Sequence, residues 1–142
     1  MKLSASILLV LVMMSFVAGS CAAPKEDGIK FYESKWSEVL AKAKAEHKPI
    51  FLDIYASWCG PCKKLRKDTF TDKVAAAYFN EHFINASFDG EKGDGIMLAQ
   101  QFKIEGYPSL FILDEDGKTL TTSVGYITAA ELLQFGQQPV KQ

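Results

Sequence analysis

The feature that most constrains this chain is Trp58-Cys59-Gly60-Pro61-Cys62, placed directly after the run Ile50 to Ala56. That run is apolar apart from Asp53, the pattern of a strand buried on both faces. A helix over Gly60 to Phe70 follows, with Pro61 in its first turn, where a missing N–H costs little. Cysteines at i and i+3 share a helix face, and their Cα atoms fall within the roughly 4.4–6.8 Å that a disulfide spans. Cys59 at the helix start meets unpaired backbone N–H groups and the positive end of the dipole. Both favour an anion and lower its thiol pKa below the free value of about 8.5. Lys63 and Lys64 add positive charge nearby. Such a pair suits thiol–disulfide exchange: one thiolate attacks a substrate disulfide, and the second cysteine resolves the mixed disulfide.

Other uses of the pair fit less well. A zinc or iron–sulfur site needs two more soft ligands, and only Cys21, His47 and His82 remain, at no recognisable spacing, so no metal is expected. A c-type haem wants His after the second cysteine, where this chain has Lys63. A purely structural bridge over so short a loop adds little stability. No cofactor is expected beyond the Cys59–Cys62 couple.

The first residues read differently. Lys2 is followed by the unbroken apolar run Ile7 to Met14 and then by small residues up to Ala23, the pattern of a secretory signal peptide. Ala18-Gly19-Ser20-Cys21 resembles a bacterial lipobox, in which cleavage leaves a lipid-modified cysteine, although Ala18 stands where Leu, Val or Ile is usual. Ordinary cleavage after Ala22 or Ala23 and an uncleaved anchor are the competing readings. All three export the domain. The expected organisation is a signal peptide at 1–20, a linker at 21–32 and one domain at 33–142. With 16 basic and 17 acidic residues and no basic block, a nucleic-acid partner has no electrostatic support. A monomer is expected.

Helices are expected at Ser34 to His47 with Ser34 as cap, Gly60 to Phe70, Asp72 to His82, Asp94 to Phe102, and from Thr128 to about Gln134. Asp72, Asp94 and Thr128 are the caps expected of the last three. Strands are expected at Ile50 to Ala56, Phe83 to Phe88, Ser109 to Leu113 and Lys118 to Val124, the last two joined by the turn Asp114-Glu115-Asp116-Gly117. Early strands alternate with helices and the chain closes with a hairpin and a helix. The expectation is an α/β fold, a central mixed β-sheet with helices on both faces.

The cysteine motif, Asp53 six residues before it, and Gly106-Tyr107-Pro108-Ser109 together resemble the thioredoxin superfamily, from about Glu33 to Phe135. Lys67-Asp68-Thr69-Phe70-Thr71-Asp72 is similar to a subgroup that includes the C-terminal thiol domain of the transmembrane disulfide-interchange reductases of bacteria. The resemblance implies a thioredoxin fold, with Cys59 and Cys62 as the redox pair and Asp53 as a buried acid that takes up or returns the Cys62 proton. It also implies a substrate-binding rim of Trp58, Gly60, Pro61, Tyr107 and Pro108. Three of these have a blander alternative: Asp53 as a strand-end acid paired with a lysine such as Lys64, Pro108 as a trans proline opening a strand, Trp58 as a core residue. Asn85 is aligned with a lysine that thioredoxins keep near the acid. His47 and His82 read as surface residues near helix ends. The implied activity is reduction of protein disulfides in the periplasm, with a separate membrane electron donor and a lipid on Cys21 as the tether. The alternatives are an oxidant or isomerase, and a peptide-binding module with incidental redox activity.

Overall fold

The computed structural model describes residues 27–138. The expected signal segment and Cys21 lie outside these residues. In chain order the elements are α1 (Trp36–Glu46), β1 (Ile50–Tyr55), α2 (Gly60–Lys64), a π-helical turn (Leu65–Thr69), α3 (Lys73–His82), β2 (Ile84–Asp89), α4 (Asp94–Gln101), β3 (Ser109–Leu113), β4 (Thr119–Val124) and α5 (Ala129–Gln137). The sheet order is β2-β1-β3-β4. β1 pairs with β2 in parallel and with β3 antiparallel, and β3 pairs antiparallel with β4, so the sheet is mixed as expected.

Side chains alternate across β1 and β3, and both faces are covered. Phe51, Leu110 and Ile112 point towards α3 and α5, into a core that holds Phe70, Phe79, Leu132 and Phe135. Ile50, Leu52, Ile54, Phe111 and Leu113 point the other way, onto Trp36, Val39 and Ala43 of α1 and Leu98 of α4. Asp53 and Tyr55 therefore share the Phe51 face, which is also the face that α2 approaches. The edge strand β4 is largely Thr and Ser and only half covered, a composition that discourages pairing with another chain.

Several local expectations change. The proposed linker is too long: Ile29 is buried in the core, its N–H donates to the Phe70 carbonyl at 2.8 Å, and the Tyr32 N–H donates to the Asn85 carbonyl at 2.7 Å. Apolar residues at alternate positions, Ile29 and Phe31, make this polar-looking stretch part of the packed body. Ser34 does not cap α1; its hydroxyl bonds Glu38, and Lys35 occupies the cap position without a side-chain bond. The capping oxygen comes instead from Asp94, whose Oδ2 accepts from the Trp36 N–H at 2.8 Å. Asp94 is thus the first residue of α4 rather than its cap, with Gly93 before it. Asp72 and Thr128 do cap their helices, the latter in a reciprocal capping box with Glu131. The helix expected over Gly60 to Phe70 is α-helical only to Lys64 and then widens into the π turn, which ends where the Phe70 N–H reaches the Leu65 carbonyl at 3.0 Å.

Candidate active site

β1 delivers the chain to the redox motif. Cys59 is the N-cap of α2, with extended backbone angles, and the Cys62 N–H donates to its Sγ at 3.1 Å. Pro61 occupies the first turn. Cys59 and Cys62 form a disulfide with Cα atoms 5.3 Å apart. Both sulfurs are buried against Ala56, Tyr55 and Tyr107. The first turn of α2 carries no acid, and Lys63 and Lys64 sit in its last turn. Lys64 is spent on Asp68 at 2.5 Å and on the face of Tyr126, which leaves Lys63 and Arg66 as the cations lining the cavity beside Cys62.

The rim is built from two loops. The Tyr107–Pro108 peptide bond is cis. The Ser109 hydroxyl donates to the Gly106 carbonyl at 2.7 Å and the Gly125 N–H to the Pro108 carbonyl at 2.8 Å, which ties this loop to both strands of the hairpin. Tyr107 lies over Gly90, where a Cβ would come within 2.7 Å of the tyrosine hydroxyl, so glycine at 90 is what admits the ring. Burial, then the nearby Glu91 and Asp89, raise the Tyr107 phenol above its ordinary pKa. Trp58 is not a core residue: it is 66% exposed. Its indole N–H is shared between both Glu91 carboxylate oxygens at 3.1 Å, and its ring stands edge-on to Tyr107 with centroids 6.0 Å apart. Chain-distant residues 58, 91 and 107 thus form one surface beside the sulfurs.

Asp53 is buried at the centre of the sheet. Its register partner on β2 is Ser87, whose hydroxyl donates to Oδ2 at 2.8 Å. An Arg66 guanidinium nitrogen lies 3.7 Å from the same oxygen. Oδ1 is buried with no hydrogen-bond partner among the described residues. Burial pushes the carboxyl up to about 6, with Ser87 and Arg66 opposing it. Neither Lys64 nor Asn85 plays the part considered for it. Asn85 pairs with Phe51 in register, two residues from the level of Asp53, and its amide donates to the Phe79 and Lys30 carbonyls. Ser87 and Arg66 are the residues that sequence reasoning missed. Arg66 was within reach, since it follows Cys62 at i+4 on a helix; Ser87 required the strand register. No cluster of three or more His, Cys, Asp and Glu able to hold a metal occurs among the described residues. His47 sits at the left-handed C-cap of α1 and His82 ends α3, both at the surface.

With this geometry in view, the comparisons are specific. The family model for a thioredoxin-like domain matches residues 36–138, and the chain belongs to that family. It is 34% identical over 98 residues to the thiol:disulfide interchange protein DsbD of Yersinia pestis, covering 67% of this chain and 16% of that protein. For DsbD of Ralstonia nicotianae the identity is 30% over 119 residues, 80% of this chain and 20% of the relative. The chain thus spans no more than about a fifth of the length of these relatives. Among solved structures it resembles a proposed disulphide-isomerase from Bacteroides thetaiotaomicron, with TM-score 0.72 and 40% identity over 82% of this chain and 96% of that one. The oxidised C-terminal domain of Neisseria meningitidis DsbD, at 22% identity, 72% and 90% coverage and TM-score 0.61, shares the fold. Fold, family and the paired cysteines define a thioredoxin-like domain that carries a disulfide-forming cysteine pair at the start of α2.

Proposed function

We propose that this protein reduces disulfides of other proteins in the cell envelope, drawing electrons from a separate membrane-bound dithiol. The observation that carries the reading is the Cys59–Cys62 disulfide at the start of α2, walled by the cis Tyr107–Pro108 loop and by exposed Trp58. In the reduced protein the Cys59 thiolate attacks one sulfur of a substrate disulfide and expels the other as thiolate. A mixed disulfide forms between Cys59 and the substrate. Cys62 loses its proton, attacks the Cys59 sulfur and releases the second substrate thiolate. The substrate gains two electrons and two protons, and the Cys59–Cys62 disulfide is restored. The donor dithiol then reduces that disulfide by the same two steps.

Asp53 is the buried base in this scheme, accepting the Cys62 proton. Trp58, Gly60, Pro61, Tyr107 and Pro108 form the surface that receives an extended substrate segment beside the sulfurs, with backbone pairing at Tyr107. Reduction as the direction rests on the Cys-Gly-Pro-Cys sequence and on the Asp53 carboxylate buried on the strand that leads into it, since a negative charge on that side disfavours a thiolate relative to the disulfide. The 40% identity to a proposed disulphide-isomerase favours one second reading, in which the same pair rearranges disulfides. Export follows from the N-terminal segment, with Cys21 as the lipid-bearing residue.

The test is trapping. A Cys62→Ser variant should accumulate mixed disulfides through Cys59 in envelope extracts, resolved by added dithiol. A Cys59→Ser variant should accumulate none. Equal capture by both variants would instead mark a binding module. Incorporation of labelled fatty acid, abolished by Cys21→Ala, tests the tether.

A further inference from the structure

Arg66 has contacts that the exchange scheme does not yet use. Its guanidinium lies over the Tyr55 ring, 4.4 Å from the centroid, donates to the Ser87 hydroxyl at 3.1 Å, and stands 3.7 Å from Asp53 Oδ2. Three elements therefore converge on it: the helical segment after Cys62, strand β1 and strand β2. Two cavities meet at this side chain. One, of about 320 Å³, is lined by Cys62, Lys63, Ala56 and Ser57; the other, of about 330 Å³, by Ser87, Phe70 and Ile29; Tyr55 and Arg66 wall both. The guanidinium thus stands between the cavity that reaches the resolving sulfur and the residues that enclose the buried acid.

We propose that Arg66 is the positioning residue of the resolving step, holding the Asp53 carboxylate ionised and oriented through Ser87 so that it can take the Cys62 proton. This rests on the exchange chemistry proposed above. Its physical basis is that a carboxylate buried on the central strand, with apolar Leu110 as its register partner on β3, cannot stay charged without a compensating partner. Ser87 supplies one hydrogen bond and no charge; Arg66 supplies the charge. The other charges on this side are more distant or engaged elsewhere. Lys63 lies at the mouth beside Cys62, Asp27 and Glu33 line the outer cavity, Lys64 is held by Asp68, and Asp89, at the end of β2, faces Lys92. Strand β3 opposes Asp53 with Leu110 and contributes no charge there.

The experiment follows the Asp53 carboxyl by carbon NMR in the oxidised and reduced protein. It also follows the pH dependence of mixed-disulfide resolution by stopped flow, with oxidised glutathione as the probe. Arg66→Gln, which keeps a donor for Ser87, should raise the Asp53 midpoint by about one pH unit. Resolution at pH 6 should slow several-fold, the difference closing by pH 8. Arg66→Lys should restore most of both. An unmoved midpoint in Arg66→Gln, or a uniform slowing at all pH values that lysine does not rescue, overturns the proposal while the exchange scheme stands. If Asp53→Asn resolves as fast as the wild type, the buried acid has no part in exchange, and both that role and this one fall.

Discussion

The proposed chemistry and the stability of this protein meet at Asp53. Its carboxyl titrates near 6 in the fold, against 3.8 for the free group, because burial outweighs the help of Ser87 and Arg66. The folded protein then binds more protons than the unfolded chain between about pH 4 and pH 6, so folding stability falls as pH rises through that window and is level above it. Asp53→Asn removes the penalty. Chemical denaturation should find that variant more stable than the wild type at pH 8, by up to about 3 kcal/mol. The two should be equal near pH 3, and the gain should come with slower disulfide exchange. A variant less stable at pH 8 would show that the charged acid is a net stabiliser. At the rim, the exposed Trp58 ring is placed by Glu91 and Tyr107 rather than by burial. Glu91→Gln keeps one acceptor and should leave folding intact. It should alter Trp58 fluorescence, because the charged end of its hydrogen bond is lost.

At the scale of elements, the caps show which local rules hold in this fold and which yield to tertiary contact. Asp72 and Thr128 act on the helix they precede, as their sequence positions suggest. Asp94 and Ser34 do not. The Trp36 N–H at the start of α1 is reached by an acid 58 residues away, at the start of α4, so one side chain couples two helices packed on the same sheet face. Asp94→Ala should therefore cost about 1 kcal/mol of unfolding free energy, whereas Ser34→Ala should lie within about 0.5 kcal/mol of the wild type. Urea unfolding of the two variants checks both. Gly95 is under sharper constraint: a Cβ there would stand 1.9 Å from the Asp89 carbonyl oxygen. Gly95→Ala should destabilise by about 3 kcal/mol or more, because only backbone movement relieves the overlap.

The doubly buried apolar run of β1, the strand at β3, the spacing of apolar residues on the helices, and the cysteine pair were all legible in the sequence, because each is a pattern within one element. Three things were hidden because they depend on how elements meet. The parallel register puts Ser87 rather than Asn85 beside Asp53. The segment Gly28–Tyr32 looks polar until Ile29 and Phe31 are seen to fall on the core side. Arg66 looks like one of several surface cations until the π turn and the Tyr55 ring place it over the buried acid.

For the whole molecule, the fold sets a short helix bearing the redox pair at the end of a doubly covered central strand, with the cis Tyr107–Pro108 loop completing one side. Among the described residues no helix is long and apolar enough to cross a membrane. The envelope setting proposed here rests on the N-terminal segment, and the separate electron donor is part of the same proposal. The central claim is that the Cys59–Cys62 couple acts as a reductant, and its midpoint potential tests that most directly. The domain is equilibrated in dithiol or glutathione buffers, with oxidation state read by Trp58 fluorescence and thiol labelling. The account predicts a midpoint near thioredoxin's, about −270 mV, so that the reduced pair gives electrons to envelope disulfides. A midpoint nearer about −120 mV would contradict it and make the protein an oxidant of thiols.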